Sequence, residues 1–152
     1  MPLNPVTMRV SIAIALVFVC CGAHAQQAHF NHLTVYGTDL ARASAFYHDV
    51  MGFDTIPEPF HDGRHTWFRV GDHQELHVVS GAKADEVHHV DVHMAFSVPD
   101  VAAFGKRLEK AGVPYGGWNQ TDKTPTKRPD GVLQIYFQDP DGYWIEVNND
   151  KF

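Results

Sequence analysis

The chain carries one strand–helix unit twice, and that repeat limits the folds open to it. His29 to Tyr36 is rich in β-branched and aromatic residues and predicts a strand. Gly37, Thr38 and Asp39 supply a turn and a helix cap, with a Thr38 or Asp39 oxygen placed to accept a free helix N–H. Leu40 to Met51 then sets Leu40, Ala43, Phe46, Tyr47 and Val50 on one face at helical spacing, and Gly52 stops it. Val90 to Val98, the Pro99-Asp100 turn and Val101 to Lys110 repeat the order, with Gly112 as the stop. His32 precedes Asp39 by seven residues and His93 precedes Asp100 by seven, so the two units are in register.

Each unit continues into three short strands. In the first they are Phe53 to Ile56, Thr66 to Val70 and Glu75 to Val79, separated by Asp62-Gly63 and Gly71-Asp72 turns. In the second they are Val113 to Tyr115, Val132 to Phe137 and Tyr143 to Val147, with Asp139-Pro140-Asp141-Gly142 as the last turn. The expectation is an α+β fold of two βαβββ modules, about 29–80 and 88–149, joined around Gly81 to Glu86. Their pseudo-twofold arrangement predicts a concave sheet around a metal site, with a helix on each sheet's outer face. Between Trp118 and Gly131 the polar run NQTDKTPTKRPD reads as a mobile loop of the kind that often binds ligands.

Residues 1–25 read as a signal peptide: Arg9, then the apolar run Val10 to Cys21, then Ala23-His24-Ala25 as the cleavage site. The run is short of the ~20 residues a bilayer helix needs, so no membrane span is expected. The expectation is export, to the periplasm or outside the cell, of one domain over residues 26–152. That remainder has no cysteine, because Cys20 and Cys21 lie before it, so disulfides, thiol nucleophiles and thiolate metal sites are excluded. It holds 11 Lys+Arg against 18 Asp+Glu and no basic stripe, which argues against nucleic acid and for a small-molecule partner.

The repeat places a histidine in the opening strand of each module, His32 and His93, and a glutamate in each closing strand, Glu75 and Glu146. Glu146 stands among Trp144, Ile145 and Val147, where a carboxylate needs a partner. Two imidazoles and two carboxylates suit one divalent ion (Ni, Zn, Co, Mn or Fe(II)). His77 shares a strand face with Glu75, so either can be the second ligand, with the other behind it. Lys123, Lys127 and Arg128 on the polar segment are candidates to clamp a substrate carboxylate.

FNHLTVYGTDLARASAFYHDVMGF, ELHVV, HMAFSVPDVAAFGKRLEKAGV and QIYFQDPDGYWIEV together resemble the vicinal oxygen chelate superfamily from about His29 to Asn148. That superfamily includes glyoxalase I, bleomycin-resistance proteins, fosfomycin-modifying transferases and extradiol dioxygenases. The glyoxalase I ligand order, His or Gln, Glu, His, Glu, matches His32, Glu75, His93 and Glu146. The resemblance implies a metal-dependent lyase or isomerase acting on a small oxygen-chelating carbonyl compound, with Glu146 moving the proton. A ring-cleaving Fe(II) dioxygenase and a non-enzymatic drug- or metabolite-binding resistance protein are the alternatives. It also implies that modules pair within a chain or are exchanged in a homodimer. Two departures stand against glutathione itself as co-substrate: the expected export, and the lack of the insertions that shape a glutathione pocket.

Overall fold

The computed structural model describes residues 26–83 and 86–151, so the expected signal peptide lies outside the described residues. The first module runs β1 (His32–Gly37), α1 (Leu40–Ala45), a π-helical segment (Phe46–Met51), β2 (Asp54–Ile56), β3 (His65–Arg69) and β4 (Glu75–Ser80). The second runs β5 (His93–Ser97), α2 (Val101–Lys110), β6 (Tyr115–Gly116), β7 (Thr126–Lys127), β8 (Leu133–Gln138) and β9 (Trp144–Asn148). Asp39 and Asp100 cap the two helices, each accepting from the backbone N–H three residues on. Gly52 closes the π segment at φ 80°, a left-handed conformation that glycine adopts without strain.

The strand orders are the same in both modules: β1-β4-β3-β2 and β5-β9-β8-β6. In each, the opening strand lies at the sheet edge and pairs in parallel with the closing strand, which pairs antiparallel with the strand before it. Two mixed sheets thus stand side by side in one chain, each four strands long in its main path, and they do not close into a single barrel. Two elements differ from the sequence expectation, the π-helical second half of the first helix and β7. The strand lies inside the polar segment and pairs with β8, so Thr126 faces Gln134 and Lys127 faces Leu133. Trp118 N–H donates to Thr126 Oγ1 at 2.7 Å, tying the segment's other end to the same place.

Strand alternation divides each sheet into an apolar and a polar face. Val35, Phe68, Leu76 and Val78 from the first sheet join Ile135, Phe137, Ile145 and Val147 from the second in one core, with Leu33 packed against it. Phe46 meets Phe137 at 6.4 Å between ring centroids, and Phe53 meets Phe96 at 5.1 Å, so the modules share that core. Each such fully buried side chain contributes about 1.5–3 kcal/mol. Polar ties reinforce the seam: Tyr47 OH donates to Asp139 Oδ2 at 2.6 Å, and Thr38 N–H and Oγ1 each donate to Asp141 Oδ1 at 2.8 Å. Among the described residues no helix is long and apolar enough to cross a membrane.

Candidate metal centre

Because the apolar faces are spent on the shared core, the opposite faces carry the chemistry. On the first sheet that face presents His32 and Thr34 from β1, Glu75 and His77 from β4, and Trp67 and Arg69 from β3. The ring of His77 lies between the indole of Trp67 (3.9 Å, 2° between planes) and the imidazole of His32 (4.3 Å, 14°). His77 Nε2 is 2.8 Å from Glu75 Oε2, and His32 Nδ1 is 2.6 Å from Asn31 Oδ1.

On the second sheet His93 Nε2 stands 3.2 Å from Glu146 Oε2. His93 Nδ1 is 2.7 Å from the carbonyl of Val90, which can only accept, so Nδ1 carries a hydrogen while Nε2 faces the Glu146 carboxylate. The same reasoning at Asn31 leaves Nε2 of His32 free, and at Glu75 leaves Nδ1 of His77 free. His32 and His77 therefore each have one nitrogen tied to an oxygen and the other open, the arrangement that prepares histidine to bind a metal, whereas both nitrogens of His93 face oxygens.

Glu146 is buried at 6 % exposure and is held at both oxygens. Tyr136 OH donates to Oε2 at 2.6 Å and Asn148 Nδ2 donates to Oε1 at 2.7 Å, while Gln134 Nε2 donates to Tyr136 OH at 2.5 Å. Burial, and then the hydrogen bond to Glu146, push the Tyr136 phenol well above its ordinary range. Trp118 sets its ring edge against Tyr136 at 5.4 Å. Sequence reasoning missed Gln134, Tyr136, Asn148 and Trp118. The period-two spacing of Gln134 and Tyr136, and of Glu146 and Asn148, was the available signal, since it puts each pair on one face.

The four residues expected to share one ion fall into two pairs, one on each sheet. Among the described residues no three His, Asp or Glu side chains stand close enough together to hold a metal. Glu75 and His93 do border one cleft of about 240 Å³, otherwise walled by apolar side chains including Leu33, Leu76, Met94 and Phe96. The donor chemistry fits a divalent ion, with nitrogen and oxygen donors and preset tautomers, but one chain offers it in halves.

The three cations of the polar segment part company. Lys123 reaches Glu109 on α2 at 2.7 Å, and that hydrogen bond raises the lysine pKa. Lys127 pairs across from Leu133 and so follows the apolar side of β8. Arg128 pairs with Asp130 and with Asp150, 3.3 Å away, and its charge is felt at Tyr136. Of the three, Arg128 is the one whose charge reaches Tyr136, the donor to Glu146.

A lactoylglutathione lyase of Pseudomonas putida is 28% identical, the match covering 78% of this chain and 83% of that one. The glutathione transferase FosA of Serratia marcescens is also 28% identical, over 78% of each chain. A solved structure, described as a glyoxalase family protein from Bacillus anthracis, aligns with TM-score 0.65 and 26% identity, covering 84% of this chain and 98% of that one. Residues 29–147, a span that holds both histidine-bearing edge strands, match the family described as the Glyoxalase/Bleomycin resistance protein/Dioxygenase superfamily, and the chain belongs to it.

Proposed function

We propose that this protein is a metal-dependent lyase or isomerase acting on a small carbonyl compound that offers two adjacent oxygens. His32, His93, Glu146 and a side chain of β4 would hold one divalent ion. The ion, when bound, supplies a Lewis acid that polarises a substrate oxygen. Export is part of the same reading, and it points to a substrate other than a cytosolic glutathione adduct.

The observation that carries this reading is the doubled arrangement of an edge-strand histidine with one ring nitrogen anchored on oxygen, beside a closing-strand donor. Glu146 is the proton carrier. Its carboxylate takes a proton from the carbon beside the carbonyl and returns it to the neighbouring carbon, general acid–base work that needs a fixed geometry. Tyr136 and Asn148 supply that geometry by holding one oxygen each. Arg128 adds positive charge near the developing anion. Because the donors lie in halves on two sheets, the reading includes a homodimer in which the first sheet of one copy faces the second sheet of the other.

The test is metal content of the purified protein before and after chelation, with lyase activity assayed on α-hydroxycarbonyl and hemithioacetal substrates. Stoichiometric Ni, Zn or Co, activity lost on chelation and restored by the ion, and an inactive Glu146→Gln support it. Oxygen-sensitive iron with ring-cleaving activity would replace it with a dioxygenase. No bound metal, with Glu146→Ala folding and behaving as wild type, would leave a binding protein without metal chemistry.

A further inference from the structure

The pairing register of the two sheets assigns the β4 ligand, and the assignment rests on the metal-centre reading above. In the second module Glu146 lies opposite Ala95 of β5 and Tyr136 of β8. Ala95 is two residues beyond His93. In the first module the residue two beyond His32 is Thr34, and opposite Thr34 stands His77, which also lies opposite Trp67 of β3. Glu75 lies opposite His32 and Arg69, the place that Trp144 takes opposite His93 and Gln138. The pseudo-twofold therefore relates Glu146 to His77, and Tyr136 to Trp67.

We propose that His77, rather than Glu75, is the closing-strand metal ligand of the first module, and that Glu75 is the carboxylate that positions its ring. Burial agrees with the register. The side chains of Glu146 and His77 are 8% and 11% exposed, whereas that of Glu75 is 35% exposed. The ring of His77 lies against His32, as the carboxylate of Glu146 lies against His93. Trp67 covers the other ring face, so rotation of His77 breaks two stacks at once. Glu75 accepts the Nε2 hydrogen and so leaves Nδ1 as the lone pair, the work of a carboxylate behind a metal-bound histidine. The resulting set is three imidazoles and one carboxylate: His32, His77, His93 and Glu146.

Cobalt(II) added to the full chain gives a direct count, because each imidazole on the ion shows one strongly shifted exchangeable N–H proton in its NMR spectrum. The wild type is expected to show three. His77→Gln is expected to show two with much weakened binding. Glu75→Gln keeps three, with affinity lowered about 10- to 100-fold, the usual effect of removing a partner behind a ligand. His77→Glu, which copies the second module, is expected to hold cobalt with two such signals, and it guards against a misfolded His77→Gln. Two signals in the wild type, unchanged in His77→Gln, would overturn the assignment. So would three that survive in His77→Gln. A wild type that binds no cobalt would instead bring down the metal-centre reading, and this assignment with it.

Discussion

Tyr136 donates its phenolic hydrogen to Oε2 of Glu146 at 2.6 Å, the same oxygen that stands 3.2 Å from His93 Nε2. Tyr136→Phe removes that donor and also strips Gln134 Nε2 of its acceptor in a buried place. A stability loss of about 1–3 kcal/mol is expected, the cost of a buried polar group left unmade. Cobalt affinity should fall about 10- to 100-fold in the same variant. Urea denaturation and metal titration check the two effects separately.

The Tyr47–Asp139 bond joins the first module's helical segment to the last turn of the second. Tyr47→Phe leaves Asp139 Oδ2 without its donor and should cost about 1–3 kcal/mol. Burial raises the Asp139 carboxyl pKa above its ordinary value despite three accepted hydrogen bonds. The folded state therefore binds the proton more readily than the unfolded chain. Its stabilising contribution is full below the ordinary carboxylate pKa of about 3.9 and is lost as pH rises through the higher folded value. Asp139→Asn should flatten that part of the stability–pH curve, as read by denaturant titrations from about pH 4 to 7.

Gly37 is required by a close approach. A Cβ there would lie 2.6 Å from Asp141 Oδ2, on a side chain that is 5% exposed and accepts from Thr38 and Arg42. Gly37→Ala should destabilise by about 1–3 kcal/mol, an overpacking cost. Arg42→Ala removes a half-exposed partner and should cost no more than about 1 kcal/mol. Thermal unfolding that ranked the two the other way would contradict this account of the seam.

The proposed homodimer shares each site between copies and so permits complementation. His32→Ala alone and Glu146→Ala alone should each be inactive. Unfolded together and refolded, they should regain roughly a quarter of wild-type sites, because half the dimers are mixed and each holds one intact pair of sheets. Activity and bound cobalt after mixing are the readouts, and no recovery would point to a site closed within one chain.

The two modules were legible because caps, helical spacing and glycine stops occur twice in the same order. The ends of α2 agree with its periodic pattern, and most strand limits shift by a residue or two. The π-helical turn at Phe46–Met51 was not legible, since it differs from an α-helix in bonding partners and not in residue type. Nor was β7, because Pro125 and Pro129 around Thr126 and Lys127 read as a loop. The choice between Glu75 and His77 was beyond the sequence for a plain reason: strand alternation puts both on one face, and only the pairing with β1 and β3 separates them. Tyr136 and Asn148 were missed likewise, since their bonds to Glu146 exist only once β8 and β9 are paired and side chains on one strand face converge.

Both histidine-bearing strands are the outermost of their sheets, with backbone partners on one side only. A neighbouring copy can therefore approach His32 or His93 without breaking a single ladder bond. In the proposed homodimer, folding and ion capture would be separate events in time: each chain would finish its two half-sites alone, and the ion would reward their meeting. Dilution should weaken metal retention well before it lowers the melting temperature, so the bound ion acts as a gauge of protein concentration as much as of fold integrity.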